Sequence, residues 1–390
     1  MKVLPASQNP KNARKAEIQM QLSKPMNPKR RRFSLLILAA ALLILIVLAA
    51  RGVFASGGRT VSAVKLRCMA TQDVTAFGDE ILYYDGLTLY CLRSNGSEHW
   101  SYPLGENASF SCSDAVIAAW SGTQLHIIDR NGSSTYNENL TDAIQFARVG
   151  GKYVAAVLGS DISPTLVVKD MQGTTVDTES TAYKDMTLLD LGFFSDGEFL
   201  WTTSLDVYGS VPDTTLHTFR VNVSTNGGTS LGDHLVYAVV YAGQQLNVVS
   251  TRQLRKYDYR GTMDSTGTVL VYGWQLIDSA VSGNNAMLLF TPSRSAAGTG
   301  GINQLRLVWG KTDKQYSLPT VCISAALYGH RIYAFSEDMV YRADLNARRF
   351  DPISLSGVLG NQTVTEYLGM LKNGVALLAC ESDVYAVSLQ

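Results

Sequence analysis

The sequence predicts an all-β protein, an eight-bladed β-propeller with four-stranded antiparallel blades, preceded by one N-terminal transmembrane helix. Three observations carry this prediction. An apolar hairpin pattern recurs eight times, at intervals of about 34 to 47 residues. A third strand with alternating apolar residues follows each hairpin. A long uncharged apolar run lies near the N-terminus.

The hairpins share one layout, which is an apolar strand, a short polar or Gly turn and a second apolar strand. They begin at Val74, Ala108, Ala143, Leu188, Leu235, Asp278, Val321 and Val364. The third strands begin at Leu87, Thr123, Thr165, Thr215, Gln253, Gln304, Met339 and Asp383. A Gly or Asn turn and a weaker fourth strand follow in several units. Four strands in about 40 residues is typical of a propeller blade.

The eighth unit ends after its third strand, which would leave one sheet with an unpaired edge. Residues 60–67, TVSAVKLR, form an additional strand before the first blade. We therefore predict that this strand becomes the fourth strand of blade eight and closes a propeller over residues 60–390. Residues 55–59 are then a linker, and blade eight is expected to lie nearest the membrane.

The membrane prediction rests on residues 33–54. Residues 33–50 contain no charge, Pro or Gly, and as a helix they would span about 27 Å. Residues 29–32, KRRR, precede this run, so the positive-inside rule predicts a single-pass plasma-membrane protein with a cytoplasmic N-terminus and an extracytoplasmic propeller. Residues 1–32 are a basic tail that we expect to be disordered. A cleaved signal peptide is the alternative, although its apolar core is normally about 7 to 15 residues long.

The composition supports a folded body that does not bind nucleic acid. Of 390 residues, 46% are hydrophobic and 17% are charged. The first 32 residues carry nine Lys or Arg and one acid. The rest therefore carries 33 − 9 = 24 bases and 33 − 1 = 32 acids, a net charge of −8. Nucleic-acid readers need a basic surface, so no nucleic acid is predicted as a partner.

One repeat carries a family resemblance. Residues 89–105, LYCLRSNGSEHWSYPLG, resemble the repeat of pyrroloquinoline-quinone-type propellers, in which a strand ends in a Gly turn followed closely by a Trp. Trp100 is that residue here, and Tyr136 is its equivalent in the next unit. The resemblance implies a propeller of up to eight blades, in which this Trp docks one blade on a neighbouring turn. The adjacent Cys pair of the quinone-dependent dehydrogenases does not occur in the sequence, so no cofactor is predicted.

The whole chain is similar to a membrane-anchored propeller family of uncharacterised function from clostridia and related Firmicutes. The basic tail, the single span and the degenerate eightfold repeat carry this likeness. It implies an architecture and no specific activity.

Chemical motifs are scarce in this sequence. No nucleophile elbow, phosphate loop or calcium loop occurs, so no catalytic residue is predicted. Five His residues lack metal-ligand spacing, so no metal site is predicted. The five Cys residues lie in or beside apolar strands, which favours small buried hydrophobic residues, and a single disulfide bond stays open. They are Cys68, Cys91, Cys112, Cys322 and Cys380.

The candidate ligand-binding site is a long loop, residues 204–214, between the second and third strands of the fourth unit. It offers Asp206, Tyr208 and Asp213, on the rim where propellers usually bind ligands. A tolerated surface insertion is the equal alternative for this loop. The loop at 293–301, SRSAAGTGG, fits an insertion better.

These features predict a non-catalytic binding or scaffolding module for an envelope protein, a peptide or a glycan. The alternative is a propeller enzyme that acts on cell-surface glycans with carboxylates at the mouth of the channel. That reading needs two carboxylates about 5 to 9.5 Å apart. Asp190 and Glu366 are the visible acids of the inner strands, and they belong to blades four and eight, across the ring.

Overall fold

The computed structural model describes residues 61–195, 197–223, 225–293 and 301–389. Within these residues the chain forms strands β1 to β32 and one 3-10 turn at Thr181–Tyr183. All strands belong to eight four-stranded antiparallel sheets, so the predicted all-β eight-bladed propeller is confirmed. The predicted tail, transmembrane helix and linker lie outside the described residues. In the part of the chain that the structure describes, no helix combines the length and hydropathy needed to cross a bilayer.

Blades one to four follow the chain in order. Blades one and two contain β2 (Asp73–Phe77), β3 (Glu80–Tyr84), β4 (Thr88–Arg93), β5 (Glu98–Pro103), β6 (Ser109–Cys112), β7 (Val116–Ser121), β8 (Gln124–Asp129) and β9 (Ser134–Asn139). Blades three and four contain β10 (Ile144–Val149), β11 (Tyr153–Leu158), β12 (Thr165–Asp170), β13 (Thr175–Glu179), β14 (Thr187–Phe193), β15 (Phe199–Asp206), β16 (Asp213–Arg220) and β17 (Thr225–Gly232).

Blades five to eight continue this order. Blades five and six contain β18 (Val236–Ala242), β19 (Gln245–Ser250), β20 (Gln253–Tyr257), β21 (Val269–Leu270), β22 (Trp274–Ser282), β23 (Asn285–Pro292), β24 (Ile302–Trp309) and β25 (Thr312–Cys322). Blades seven and eight contain β26 (Ser324–Tyr328), β27 (Arg331–Phe335), β28 (Met339–Asp344), β29 (Asp351–Ser354), β30 (Glu366–Met370), β31 (Val375–Cys380), β32 (Asp383–Ser388) and β1 (Ser62–Met69).

The fourth strand of blade eight is β1, which comes from the other end of the chain. It runs antiparallel to β32, with Ser62 opposite Ser388 and Val64 opposite Ala386. The strand starts two residues after the predicted start at residue 60 and ends at Met69, and its register shifts after Lys65. Blade eight is therefore a complete four-stranded sheet, and the two ends of the propeller meet in it.

Among the described residues, the core consists of eight apolar clusters, one in each seam between consecutive blades. The cluster between blades eight and one contains Leu66 from β1, Ile81 from β3 and Leu377 from β31. Successive residues of a strand point to opposite faces, and both faces of each blade pack on a neighbour. This explains why second strands such as β11, YVAAVL, are apolar at almost every position.

The propeller has two faces, and they carry different kinds of connections between strands. Because neighbouring strands are antiparallel, the turns between third and fourth strands lie on one side together with those between first and second strands. We call this side the turn face. The loops between second and third strands lie on the other side, with the connections between blades, and we call that side the loop face.

Turns of one kind recur on the turn face. The sequences are DRNG at 129–132, DMQG at 170–173 and DYRG at 258–261. In each turn the Asp carboxylate accepts backbone N–H groups two and four residues later, at 2.8 to 3.0 Å. Asp side chains stabilise such turns by replacing a backbone acceptor.

The fourth strand of one blade contacts the turn of the next blade. Trp100 Nε1 donates to the carbonyl oxygen of Arg130 at 2.9 Å, and its indole lies over Gly132, where a Cβ atom would be 2.6 Å from the ring. Tyr136 lies over Gly173 in the same way. The docking contact that the resemblance implied for Trp100 is therefore present. These contacts fix the relative position of consecutive blades on the turn face.

Candidate functional site

The predicted loop in blade four lies on the loop face, but it is shorter than the sequence suggested. Strands β15 and β16 stay paired as far as Asp206 and Asp213, so the loop is 207–212 and not 204–214. Ser204 and Thr214 are buried, and Ser204 pairs with Thr215. The β15–β16 hairpin is longer than predicted because these small polar residues continue the pairing between its two strands.

Of the three predicted residues in this loop, only Tyr208 is largely exposed, at 64%. Asp206 and Asp213 are half-buried and lie directly opposite each other. Asp206 Oδ1 accepts the backbone N–H of Tyr208 at 2.9 Å, and Asp213 Oδ1 accepts the hydroxyl of Ser230 at 2.8 Å. The two acids hold the base of the loop, and Tyr208 is free to contact a ligand.

A larger set of exposed apolar side chains lies at the loop-face ends of blades four, five and six, and the sequence reasoning missed it. Its members come from the loop of blade four, from the start of blade five, and from the end of blade five and the connection that follows it. They are Val207, Tyr208, Val211, Leu235, Tyr237, Leu270 and Tyr272, all between 42% and 73% exposed. We call this set the apolar patch. In the sequence these residues are isolated apolar positions at or near strand ends. Only the directions of the strands show that they lie on one face.

The patch adjoins a cavity of about 370 Å³. Its lining residues are Leu235, Tyr237, Thr251, Trp274, Gln275 and Ser293. The hydroxyl oxygen of Tyr237 accepts the backbone N–H of Leu276 at 3.1 Å, which ties blade five to blade six. Partial burial raises the pKa of this hydroxyl, so it stays protonated at neutral pH.

Arg306 holds one wall of this region. Its guanidinium lies over the Trp274 ring, 5.7 Å from the centroid, and donates to the carbonyl oxygen of Leu270 at 2.9 Å. It also forms a two-pronged ion pair with Asp313, at 2.8 and 2.7 Å. The Arg306 hydrogen bond holds the pKa of the Asp313 carboxyl below its ordinary value. These contacts hold the Leu270 carbonyl group and the Trp274 ring in place before any ligand binds.

The two inner-strand acids identified from the sequence have different environments. Asp190 is paired with Arg148 of blade three, with Nη2 3.1 Å from Oδ1. Glu366 lines a cavity of about 640 Å³ at the start of the inner strands of blades one, two and eight. Asp73, the first residue of β2, lines the same cavity.

Asp278 in β22 is a further acid of the inner strands. The sequence analysis, which named only two such acids, therefore identified too few. Its Oδ2 accepts the backbone N–H of Leu327 at 2.6 Å, which joins the first strands of blades six and seven. Burial raises the pKa of this carboxyl. Asp278 is therefore a buried structural residue that joins two blades, and it does not line the open mouth of the channel.

Blade one contains a cluster that the spacing argument did not find. His99 Nδ1 lies 2.6 Å from Glu80 Oε1, and Arg130 Nε lies 3.6 Å from Glu80 Oε2. Glu80, Cys91 and His99 each bring one ligand-type atom into a group within 4.8 Å. Burial is the main cause that raises the pKa of the Cys91 thiol, and the Glu80 carboxylate adds to it. The three residues lie on three consecutive strands, so no short sequence motif contains them.

The remaining Cys residues behave as small apolar groups. All five thiols are free, four are buried and Cys112 is half-buried. Burial raises the pKa of Cys68 and Cys322 to about 11. His126 is buried too, and burial lowers its pKa, so it is neutral at pH 7.

Solved structures share this fold at low sequence identity. The WD40 domain of SCAP from fission yeast has a TM-score of 0.56 and 8% identity, covering 84% of this chain and 94% of that chain. Sqt1 from Saccharomyces cerevisiae has a TM-score of 0.54 and 9% identity, covering 84% and 99%. BamB from Moraxella catarrhalis has a TM-score of 0.51 and 12% identity, covering 85% and 98%. These likenesses establish the propeller fold alone.

At the sequence level, residues 56–306 match the profile of a family of unknown function, DUF5711. No curated protein matches the sequence.

Proposed function

We propose that this chain, which belongs to the DUF5711 family of unknown function, is a binding or scaffolding module that holds a protein partner on its loop face. The observation that carries the proposal is the apolar patch on blades four to six. Tyr272 is 73% exposed in the connection between β21 and β22, and Leu270, the last residue of β21, is 65% exposed. Apolar side chains that cluster on a rigid surface mark interaction sites more often than single exposed ones do.

The composition of the patch favours a protein over a glycan. Four of its seven side chains are aliphatic: Val207, Val211, Leu235 and Leu270. Aliphatic groups gain by excluding water from another apolar surface, and hydroxyl-rich sugars offer little such surface. The other three are Tyr, which is enriched at the centres of protein interfaces.

The surroundings of the patch support specific recognition. The 370 Å³ cavity next to Leu235 and Tyr237 offers a place for one anchoring side chain of the partner. Arg306 and the Tyr237 hydroxyl fix the walls of this region, so little ordering entropy is lost on binding.

We further propose that the propeller is carried outside the cytoplasm by a single N-terminal span at residues 33–54. The uncharged run at 33–50 and the basic residues 29–32 support this orientation. The test is protease digestion of intact cells after the wall has been removed. We expect cleavage of the propeller and protection of a tag at the N-terminus. Protection of the propeller, or its release after loss of the N-terminal segment, would contradict the proposal.

The binding proposal is tested with a photo-crosslinking amino acid placed in the full-length protein in its native membranes. Position 272 probes the loop face, and position 259 is the matched control, because Tyr259 is a 38% exposed Tyr in a turn of the turn face. We expect a discrete protein adduct from position 272 and none from position 259. The double variant Leu270→Ser/Tyr272→Ser should weaken capture of that protein at least about tenfold, whereas Tyr259→Ser should not.

Two results would overturn this assignment. Equal adducts from both positions would mean that no face is specific. Turnover of a cell-surface glycan by the purified protein, with no protein adduct at position 272, would favour the enzyme alternative.

A further inference from the structure

We propose that Glu80, Cys91 and His99 form a binding site for a zinc-class divalent cation in the seam between blades one and two. The inference is independent of the partner proposed for the loop face. It rests on the backbone register of blade one, on two unpartnered polar atoms and on the chemistry of the three side chains.

The register explains how the three side chains meet. Glu80 begins β3 and pairs with Arg93, and Leu82 on the same face of the sheet pairs with Cys91. In the next pairing, Cys91 lies opposite Trp100, whereas Leu92 lies opposite Glu98. His99 is therefore the extra residue of a β-bulge. Bulges reorient side chains, and this one brings the imidazole to the side where Glu80 and Cys91 lie.

The seam contains polar atoms whose hydrogen-bonding capacity is unused. Glu80 is 9% exposed, and its Oε2 has no hydrogen-bond partner. His99 Nδ1 also lacks a hydrogen bond, because its 2.6 Å approach to Glu80 Oε1 has the distance of an ion pair without hydrogen-bond alignment. Buried polar atoms without partners are costly. A cation bound by His99 Nδ1 and the Glu80 carboxylate would give the imidazole nitrogen a partner and would neutralise the buried carboxylate.

Arg130 supports the carboxylate from the next blade. Its Nε lies 3.6 Å from Glu80 Oε2, which leaves Oε1 on the side of His99. Residues that hold the second oxygen of a ligating carboxylate orient it towards the metal. The site would thus connect three strands of blade one and carry one contact from blade two.

The donor set selects the kind of cation. A thiolate, an imidazole and a carboxylate are ligands for Zn²⁺, whereas Mg²⁺ and Ca²⁺ prefer oxygen donors only. Binding replaces the proton of the Cys91 thiol, which passes to solvent, and the site then carries one thiolate and one carboxylate against two positive charges. Three protein ligands leave the fourth tetrahedral position for water. The side chain of His99 is 29% exposed, so cation and water reach the site from its side.

The experiment uses Co²⁺ as a spectroscopic probe in the full-length protein, purified in detergent and freed of metal. We expect one equivalent of Co²⁺ to bind with a thiolate-to-cobalt charge-transfer band, and Zn²⁺ to displace it. Cys91→Ser should abolish the band, and Glu80→Gln and His99→Gln should weaken Co²⁺ binding at least about tenfold. Cys68→Ser is the matched control, since Cys68 is an equally buried thiol in the seam between blades eight and one.

Circular dichroism and thermal unfolding of each metal-free variant show whether it folds. Wild-type protein without a thiolate band would overturn the proposal. A band that persists in Cys91→Ser, or one that disappears equally in folded Cys68→Ser, would overturn it too. If the substitutions at blade one prevent folding, Ser variants of the other four Cys residues decide the outcome. A band retained in all four assigns the thiolate to Cys91, and a band lost in any one of them while it is folded overturns the proposal.

Discussion

On the turn face, three blades share an Asp-x-x-Gly turn. At two of these turns, an aromatic residue from the fourth strand of the preceding blade, Trp100 or Tyr136, packs on the Gly. On the loop face, the corresponding connections differ from blade to blade. The loop of blade two spans residues 122–123, and that of blade four spans 207–212. The first face repeats a contact that sets the geometry between blades. The second face lacks this repeated contact, although Tyr237 and Arg306 join blades five and six there, and it carries the exposed apolar side chains of blades four to six. The turn face therefore carries the repeated contact between blades, and the loop face carries the variable connections that are available for binding.

The largest effect is expected where the ring closes. Leu66 in β1 is 2% exposed between blades eight and one, so Leu66→Ala should lower the free energy of unfolding by about 2 to 5 kcal/mol. Denaturant unfolding of the full-length protein in detergent measures this loss. Met69→Ala, in the same strand at a position that is 52% exposed, should change it by less than about 0.5 kcal/mol. Equal effects of the two substitutions would show that β1 does not complete the core.

A Cβ atom at Gly173 tests the contact on the turn face. It would lie 1.8 Å from Tyr136 Cδ2, in a backbone with φ of +84°. Gly173→Ala should therefore cost about 2 to 4 kcal/mol, from the left-handed conformation and from overpacking together. Gly122→Ala on the loop face has a similar positive φ of +59° and open space around it, so it should cost only about 1 to 2 kcal/mol. Thermal unfolding that ranks the two in the opposite order would contradict the distinction between the faces.

Asp278 tests how two inner strands are joined. Asp278→Ala leaves the buried N–H of Leu327 without an acceptor and should cost about 1 to 3 kcal/mol relative to Asp278→Asn, which keeps one. The carboxyl has a pKa raised above its ordinary value of 3.8 by burial, so its favourable contribution is present at low pH and is lost as pH rises through the folded-state pKa. Wild type should therefore lose stability relative to Asp278→Asn as the pH rises from about 4 to neutral. A constant difference across this range would mean that the carboxyl is not buried.

The smallest effect on stability is expected from the apolar patch. Tyr272 is 73% exposed, so Tyr272→Ser should change the free energy of unfolding by less than about 0.5 kcal/mol while it weakens partner capture. Denaturant unfolding and co-purification of the same variant measure the two effects. Destabilisation comparable with that of Leu66→Ala would assign Tyr272 to the core and remove it from the binding surface.

Much of the architecture followed from local patterns. The eight apolar hairpins have the positions that the repeat predicted, since strands buried on both faces must be apolar at almost every residue. The loop at residues 204–214 was predicted too long, because the polar residues near its ends, Ser204 and Thr214, were taken for loop and are buried in the ladder. Hydropathy does not distinguish a small polar residue in a buried ladder from one in a loop.

The candidate sites were harder to predict than the blades. Asp206, Tyr208 and Asp213 were found from loop length, but two of them are engaged within the hairpin and its neighbouring strand. Glu80, Cys91 and His99 were missed because their meeting depends on a single bulge between β4 and β5. A register shift of one residue leaves no mark in composition or spacing.

The sequence by itself determined the number of blades, the apolar character of their middle strands and the turns that can pack closely, because strand periodicity and Gly or Asp turns are properties of neighbouring residues. Only the tertiary structure decided which side chains share a face. Leu235 and Trp274 line one cavity, and Glu80 and His99 lie within ion-pair distance, although each pair is separated along the chain. The physical reason is that register, bulges and ring closure are set by packing between strands and blades, which no local pattern records.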